Sequence, residues 1–243
     1  MRAFPFLCGA FFLTSLGHLP AEQLPAMRPA LLGTGKGSLI NLMDAERLMK
    51  RGQTDAIVRF TCGVNYSGQG YNMFTYRGSA NARPLAEEAI DKLERATFVP
   101  AVYLHEKTNS LLSGTIIYAV ISGKPHLRIY LNQEEEHLNH GDDFISPQPV
   151  FPPQDKFHGF DMPNETVSAD VGVTLNIDAT GKLKDAKLVS ESPPGAGFGA
   201  AVMNKISLVT FLPAYSHGKP VASITTFHII FRGRGRGTHW YTN

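Results

Sequence analysis

The side chains with the strongest ligand chemistry lie in one short segment. It contains five carboxylates and two histidines, in the order Glu134, Glu135, Glu136, His137, His140, Asp142 and Asp143. Carboxylates and imidazoles bind divalent cations, but this spacing fits neither the ligand pairs of zinc sites nor the oxygen ligands of calcium loops. We therefore expect a solvated acidic surface, with no metal site and no other cofactor.

Two further kinds of chemistry have only weak signals. Residues 33–38 read Gly-Thr-Gly-Lys-Gly-Ser, like a phosphate-binding loop, but the four-residue gap before the Gly-Lys pair and a preceding strand are missing. The serines and histidines form no nucleophile-elbow motif, while a catalytic triad assembled only in three dimensions stays open. The sequence predicts a flexible segment at residues 33–38 and a protein that is not an enzyme.

Composition and the N-terminus indicate the class of protein. The chain has 243 residues, 43% of them hydrophobic, and its 23 basic and 21 acidic side chains nearly balance. This composition predicts a folded protein. Its near balance of charge gives no overall electrostatic field that would attract nucleic acid or membranes. Arg2, an apolar run over residues 4–16 and small residues after it are typical of an export signal, cleaved after Gly17 or Ala21. Cys62 is then the only cysteine, so no intrachain disulfide is expected.

The C-terminal residues combine positive charge with aromatic rings. Arg232, Arg234 and Arg236 alternate with glycines, and residues 239–241 read His-Trp-Tyr. In a cytosolic protein this would suggest single-stranded nucleic acid. Because export is expected, we predict no nucleic acid partner. We predict either a disordered tail or a weak contact of the tail with an anionic surface.

A long internal repeat organises the rest of the chain. Residues 97–101, Thr-Phe-Val-Pro-Ala, return as Thr-Phe-Leu-Pro-Ala at residues 210–214, an offset of 113. The offset holds backwards through an alternating apolar segment and a helical stripe. Beyond the shared pentapeptide we match residues 111–121 with residues 221–231, which lowers the offset to 110 and predicts a turn three residues longer in the first copy.

Each copy is expected to form the same α+β module. Its pattern predicts the order strand, strand, helix, strand, strand, which gives a small antiparallel sheet with one helix packed on one face. The helices are expected at about residues 83–96 and 197–209, and the first copy adds a strand at residues 127–131. The predicted core includes Leu93, Phe98, Ile206 and Phe211.

These elements divide the chain into six segments. They are a signal peptide (1–21), an N-terminal segment (22–53) with one amphipathic helix at about 39–51, a first module (54–131), a linker (132–167), a second module (168–232) and an Arg/Gly-rich tail (233–243). The prolines of the linker predict that it is extended and mobile. A lone module of this size is marginally stable, which favours packing of the two modules in an arrangement that the sequence leaves open.

The second copy carries a distinctive order of short motifs. Residues 171–178 read Val-Gly-Val-Thr-Leu-Asn-Ile-Asp, and Gly181, a Pro-Pro pair before the helix, Phe-Leu-Pro-Ala and Gly-Lys-Pro-Val follow in that order. With this spacing, residues 168–232 resemble the C-terminal domain of TonB-like proteins, and residues 52–121 resemble it more weakly. The resemblance implies a periplasmic domain that binds short peptide segments of outer-membrane transporters by strand addition.

The last strand of the second copy is the predicted binding edge, because an edge strand has unpaired backbone groups with which an extended peptide can pair. Its candidate site residues are Ser223, Thr225, Phe227, Ile229 and Phe231. Their side chains also fit a core that faces the helix, so the backbone is the expected contact. We expect an exported, periplasmic scaffold that captures an extended peptide or an envelope protein. The alternative is a TonB-like energy-transducing component, anchored by its N-terminal segment.

Overall fold

Antiparallel sheets dominate the computed structural model, which describes residues 23–153, 156–233 and 238–242 of a mixed α+β fold. The strands are β1 (Met27–Arg28), β2 (Ala56–Val64), β3 (Gly70–Gly78), β4 (Ala101–Tyr103), β5 (Glu106–Ile121), β6 (Lys124–Tyr130), β7 (Gln148–Phe151), β8 (Ala169–Ile177), β9 (Leu183–Ser192), β10 (Thr210–Leu212), β11 (Ala214–Ser216), β12 (Lys219–Val221), β13 (Ser223–Phe231) and β14 (Thr238–Thr242). The helices are α1 (Leu39–Leu42), α2 (Ala45–Lys50), α3 (Arg83–Leu93), α4 (Glu135–His140) and α5 (Phe198–Lys205), the last continued by a 3-10 turn at Ile206–Leu208. The export signal expected at residues 1–21 lies outside the described residues.

The two halves of the chain repeat the same local geometry. Strand β2 and strand β8 start and end 113 residues apart, and α3 and α5 follow equivalent hairpins. Gly68 and Gly181 both have positive φ, and a Cβ on either would overlap a carbonyl oxygen, that of Phe98 in one half and that of Phe211 in the other. Only glycine fits this close approach, because it has no Cβ and tolerates positive φ.

The shift of the repeat offset to 110 is wrong. Turn residues Leu104 and His105 have positive φ, as do His217 and Gly218, so the two turns have equal length. Strand β5 pairs Ser110 with Val64, and β13 pairs Ser223 with Ile177, which keeps the offset at 113 to the end of the strand. Strand β5 is apolar on both faces, so its alternation fits two registers one residue apart.

Each half has a core between sheet and helix, and the predicted core residues are confirmed. Leu93 and Phe98 are buried in the first core, and Ile206 and Phe211 are buried in the second. The first core also includes Val150 and Leu212, and Leu111 packs against the second core. The two halves therefore exchange apolar side chains.

Residues 132–167 are not an extended, mobile linker. Strand β7, which lies within them, pairs with β10 of the second half and with β5 of the first. Gln148 at its start is buried. Its Oε1 accepts a hydrogen bond from the Ala30 N–H (2.7 Å), and its Nε2 donates one to the Ala30 carbonyl (3.0 Å). Prolines tolerate this placement because β7 is short and its ladders are only two or three residues long.

The N-terminal segment packs on the first half as two helices instead of the single one predicted at residues 39–51. Met43 is extended, and the Asp44 side chain accepts a hydrogen bond from the Arg47 N–H, which caps α2 and separates it from α1. Gly52, with positive φ, follows α2 as expected. No helix in the described part of the chain is long and apolar enough to span a membrane.

The predicted tail is a strand over part of its length. Residues Thr238–Thr242 form β14, which pairs with β13 from Phe227 to Phe231. The second sheet therefore has the order β14, β13, β8, β9. The sequence does not predict this strand, because the five residues Thr238–Thr242 carry too little alternation of apolar and polar side chains.

Candidate functional site

The predicted binding strand is an inner strand for most of its length. Strand β13 pairs with β8 along all nine residues, and β14 covers Phe227, Ile229 and Phe231 on the other side. These three side chains and Thr225 are buried. The open-edge prediction is therefore wrong for Phe227, Ile229 and Phe231, because the chain's own C-terminal strand occupies that edge.

The remaining two candidate residues lie beyond the end of β14 and face the protein. The Thr225 hydroxyl donates to Glu134 Oε1 at 3.4 Å, and Ser223 Oγ is buried without a hydrogen-bond partner among the described residues. Burial, first of all, raises the pKa of the Glu134 carboxyl. Phe227, Ile229 and Phe231 thus belong to the core of the second half, and Thr225 contacts the segment before it through Glu134.

Two other strands are outer strands of the sheets formed by the described residues. Among the described strands, β3 pairs only with β2, and β9 pairs only with β8. They occupy equivalent places in the two halves, and each has a bulge at an equivalent residue, Tyr76 in β3 and Val189 in β9. Such bulges bend an edge, which disfavours pairing with a second rigid sheet but not with a flexible peptide.

Strand β3 borders a groove against α3. One cavity of about 490 Å³ is lined by Thr75, Arg83, Ala86, Glu87, Ile90, Asp91 and Glu94. A smaller one of about 300 Å³ shares Thr75, Arg83 and Ala86 with it and continues past Gly78. Together they form one channel along β3, which we call the edge groove. Its floor is apolar, because Ala86 and Ile90 are four residues apart on the same face of α3.

Helix α3 is held firmly beside β3. The N–H of Leu85 in its first turn donates to Gln53 Oε1 at 3.0 Å, which satisfies one of the free donors of the helix start. Glu88, whose side chain is fully buried, forms an ion pair with Arg47 of α2 at 2.7 Å. These contacts fix the wall of the edge groove before any ligand binds.

The rim of the edge groove is acidic but partly neutralised. Glu87 binds Arg83 and Arg51, both at 2.9 Å, and the hydrogen bond from Arg83, then that from Arg51, lowers the pKa of its carboxyl. The hydrogen bond from Lys92 is the main cause that lowers the pKa of Asp91. The Glu94 carboxylate has no ion-pair partner among the described residues. A basic group entering from the Glu94 end would meet an unpaired negative charge.

The equivalent groove of the second half is filled by a side chain. Leu188 stands where the first half has Thr75, and its methyl groups lie 2.8 and 3.2 Å from where a Cβ on Gly199 would be. Gly199 in turn replaces Ala86. Ala200 and Asn204 replace Glu87 and Asp91, so the acidic rim is also missing. The edge groove lies in the first half, and at the equivalent place in the second half Leu188 packs over Gly199.

The acidic segment does not assemble a metal site in the described part of the chain, where no group of three or more His, Cys, Asp or Glu side chains is placed to hold an ion. His137 lies between Asp142 (3.0 Å) and Glu134 (3.4 Å) and stacks on Phe144, with ring centroids 4.1 Å apart. Glu135, Glu136, His140 and Asp143 are exposed, in agreement with the predicted solvated surface. Glu134 differs, since it accepts a hydrogen bond from Thr225 of the second half.

The chain has no match among protein-family models, curated proteins or solved structures. The edge groove therefore rests on geometry alone. A comparison of the two copies could have indicated the edge groove. At the offset of 113, Thr75 matches the larger Leu188, and the acidic Glu87 matches Ala200. Which strand forms an outer edge depends on topology, which the alternation of residues does not report.

Proposed function

We propose that the protein is an exported, TonB-like scaffold that captures an extended peptide or a segment of an envelope protein by strand addition at β3. The observation that carries the proposal is that β3 pairs with only one described strand, β2, and lies beside a preformed, apolar-floored groove. A peptide strand paired with β3 would place every second side chain over Ala86 and Ile90. Main-chain pairing supplies affinity in this mode, and the alternate side-chain positions supply specificity.

The shape and charge of the edge groove indicate which peptides it can bind. An extended peptide in the edge groove would alternate small apolar side chains, which cover Ala86 and Ile90, with polar ones that face solvent. A basic residue near the Glu94 end would form a charge-assisted hydrogen bond. Export is supported by the N-terminal sequence and by the repeat's resemblance to a periplasmic domain.

A peptide-library selection tests the proposal. A phage library of random decapeptides is selected on the full chain and counter-selected on Thr75→Leu, the variant that should fill the groove as Leu188 fills the second one. We expect enriched peptides with period-2 apolar positions. Synthetic versions should bind Thr75→Leu at least about tenfold more weakly, a loss of about 1.4 kcal/mol.

Two controls make the result specific. Leu188→Thr, the reciprocal change in the second half, should leave peptide affinity unchanged. Peptides N-methylated at alternate residues keep their side chains but lose donors to β3, and they should bind weakly in one of the two methylation registers. Selected peptides that bind Thr75→Leu as well as the parent, or that tolerate both methylation registers, would exclude strand addition at β3.

A further inference from the structure

A second cavity, separate from the edge groove, lies where the two halves of the molecule meet. Its volume is about 580 Å³. Apolar side chains from both halves line it, among them Met27, Leu31, Ile129, Phe144, Ile145 and Tyr215. A cavity of this size and lining at an interface between two packed units is where small-molecule sites usually occur. We call it the seam cleft.

Two carboxylates lie in the wall of the seam cleft. Asp142 Oδ2 is bound to His137 Nδ1 at 3.0 Å, and Asp143 Oδ1 accepts a hydrogen bond from the His217 N–H at 2.7 Å. Among the described residues, the other oxygen of each carboxylate has no hydrogen-bond partner. Each carboxylate is thus held in place through one of its oxygens, and its second oxygen can accept a hydrogen bond from a ligand.

One cationic side chain also lines the seam cleft. The Arg28 guanidinium donates through Nη2 to the Pro100 carbonyl at 3.1 Å, while its Nε is buried without a hydrogen-bond partner among the described residues. The Nη2 contact holds the guanidinium against the backbone of the first half. The free acceptors, in contrast, belong to Asp142 and Asp143, beside an apolar wall.

We propose that the seam cleft binds a small amphiphilic amine. Its apolar body lies between the two halves, and its ammonium group donates to the free oxygens of Asp142 and Asp143. An ammonium–carboxylate hydrogen bond is stronger than a neutral one. An anion of the same shape would meet two negative charges.

Binding of tryptamine, with indole-3-acetate as its anionic counterpart, tests this proposal by isothermal titration calorimetry on the full chain. Tryptamine should bind at least about tenfold more tightly than indole-3-acetate. Its ammonium group can form charged hydrogen bonds with the two carboxylates, which the anionic group of indole-3-acetate cannot. Asp143→Asn keeps an acceptor for the His217 N–H but removes the charge, and it should weaken tryptamine binding by a similar factor. Asp185→Asn, at an exposed position of β9, is the matched control and should change nothing.

Several outcomes would overturn the proposal. They are tryptamine that fails to saturate at millimolar concentration, equal affinities for the amine and the acid, or equal effects of Asp143→Asn and Asp185→Asn. Thr75→Leu separates the two sites, since it should weaken peptide capture at least about tenfold and leave tryptamine binding intact. If Thr75→Leu removes tryptamine binding, the amine binds in the edge groove and not in the seam cleft.

Discussion

The two halves of the molecule have the same backbone fold. They differ in the space between the outer strand and the helix, which is open beside β3 and occupied by a side chain beside β9. In the first half Thr75 leaves space above Ala86, and in the second Leu188 packs directly on Gly199. The strands, bulges and helices around both grooves are equivalent. The comparison teaches that the fold determines where a groove forms and that the volume of one side chain determines whether it can accept a ligand.

The largest expected effect tests whether the two halves are equivalent in their cores. Phe98→Ala and Phe211→Ala each remove a buried ring at the same place in the repeat and should each lower the free energy of unfolding by about 3–5 kcal/mol. Urea titration followed by circular dichroism measures both. Ile224→Ala, at a side chain that is 67% exposed, is the control and should change stability little. Costs that differ severalfold between the two variants would contradict equivalent packing.

A smaller effect tests whether the halves unfold together. Gln148→Ala removes both hydrogen bonds to Ala30 and leaves a buried N–H and a buried carbonyl unpaired, which should cost about 1–3 kcal/mol. The parent should unfold in one transition by calorimetry, and the variant should separate into two or broaden. Gln23→Ala, at an exposed glutamine, is the matched control. A variant that melts in one transition at the parent's temperature would show that this contact does not couple the halves.

The smallest effect distinguishes the halves by charge. Asp178 Oδ1 accepts hydrogen bonds from Thr180 N–H and Oγ1 and from Lys182 N–H, while the equivalent Asn65 makes the same set to Ser67 and Gln69. The hydrogen bond from Thr180, then that from Lys184, lowers the pKa of Asp178 well below its usual range. A carboxylate with a lowered folded-state pKa stabilises the fold above its unfolded pKa, about 3.9, and loses that contribution as the pH falls through the folded pKa.

Acid titration of variants measures this difference. Asp178→Asn should be less stable than the parent at neutral pH. The difference in stability should narrow as the pH falls below about 4, because the unfolded parent then binds a proton that the folded carboxylate does not. Asn65→Asp should give the first half a smaller acid sensitivity of the same sign, because Tyr71 stands where the second half has Lys184. Melting temperatures between neutral and acidic pH report both. Parallel curves for parent and Asp178→Asn would contradict a stabilising role of the charge.

Much of the fold could be predicted because the repeat supplies two readings of each element. The strands β2 and β8, both main helices and the buried Phe98 and Phe211 follow from it. The register of β5 could not be predicted in this way. Both faces of this strand have apolar residues, so alternation alone permits two registers; the residues are Leu111, Leu112, Ile116 and Ile117. At Gly114 the sequence has no apolar residue to mark the core face, and the Phe60 ring occupies that space.

The sequence predicts the outer strand at β13, whereas the outer strands among the described residues include β3 and β9. Whether β13 is an outer strand depends on residues 238–242, a distant segment of the chain in which only a short aromatic run could have suggested a strand. The seam cleft was missed because it combines Tyr215 of the second half, residues 141–145 of the segment between the modules, and Met27 and Leu31 of the N-terminal segment. Such pairings depend on how the two halves pack, and the sequence left that open.

The position of β7 has a consequence for synthesis of the chain. As residues leave the ribosome in order, β5 emerges with Asn109 and Ser110 unpaired on the side that β7 later covers. The nascent first half therefore exposes this short edge until Gln148–Phe151 has been made. A growing chain that stalls before that point would present a pairing surface to other nascent chains, and the two hydrogen bonds between Ala30 and Gln148 would form only after more than half of the protein exists.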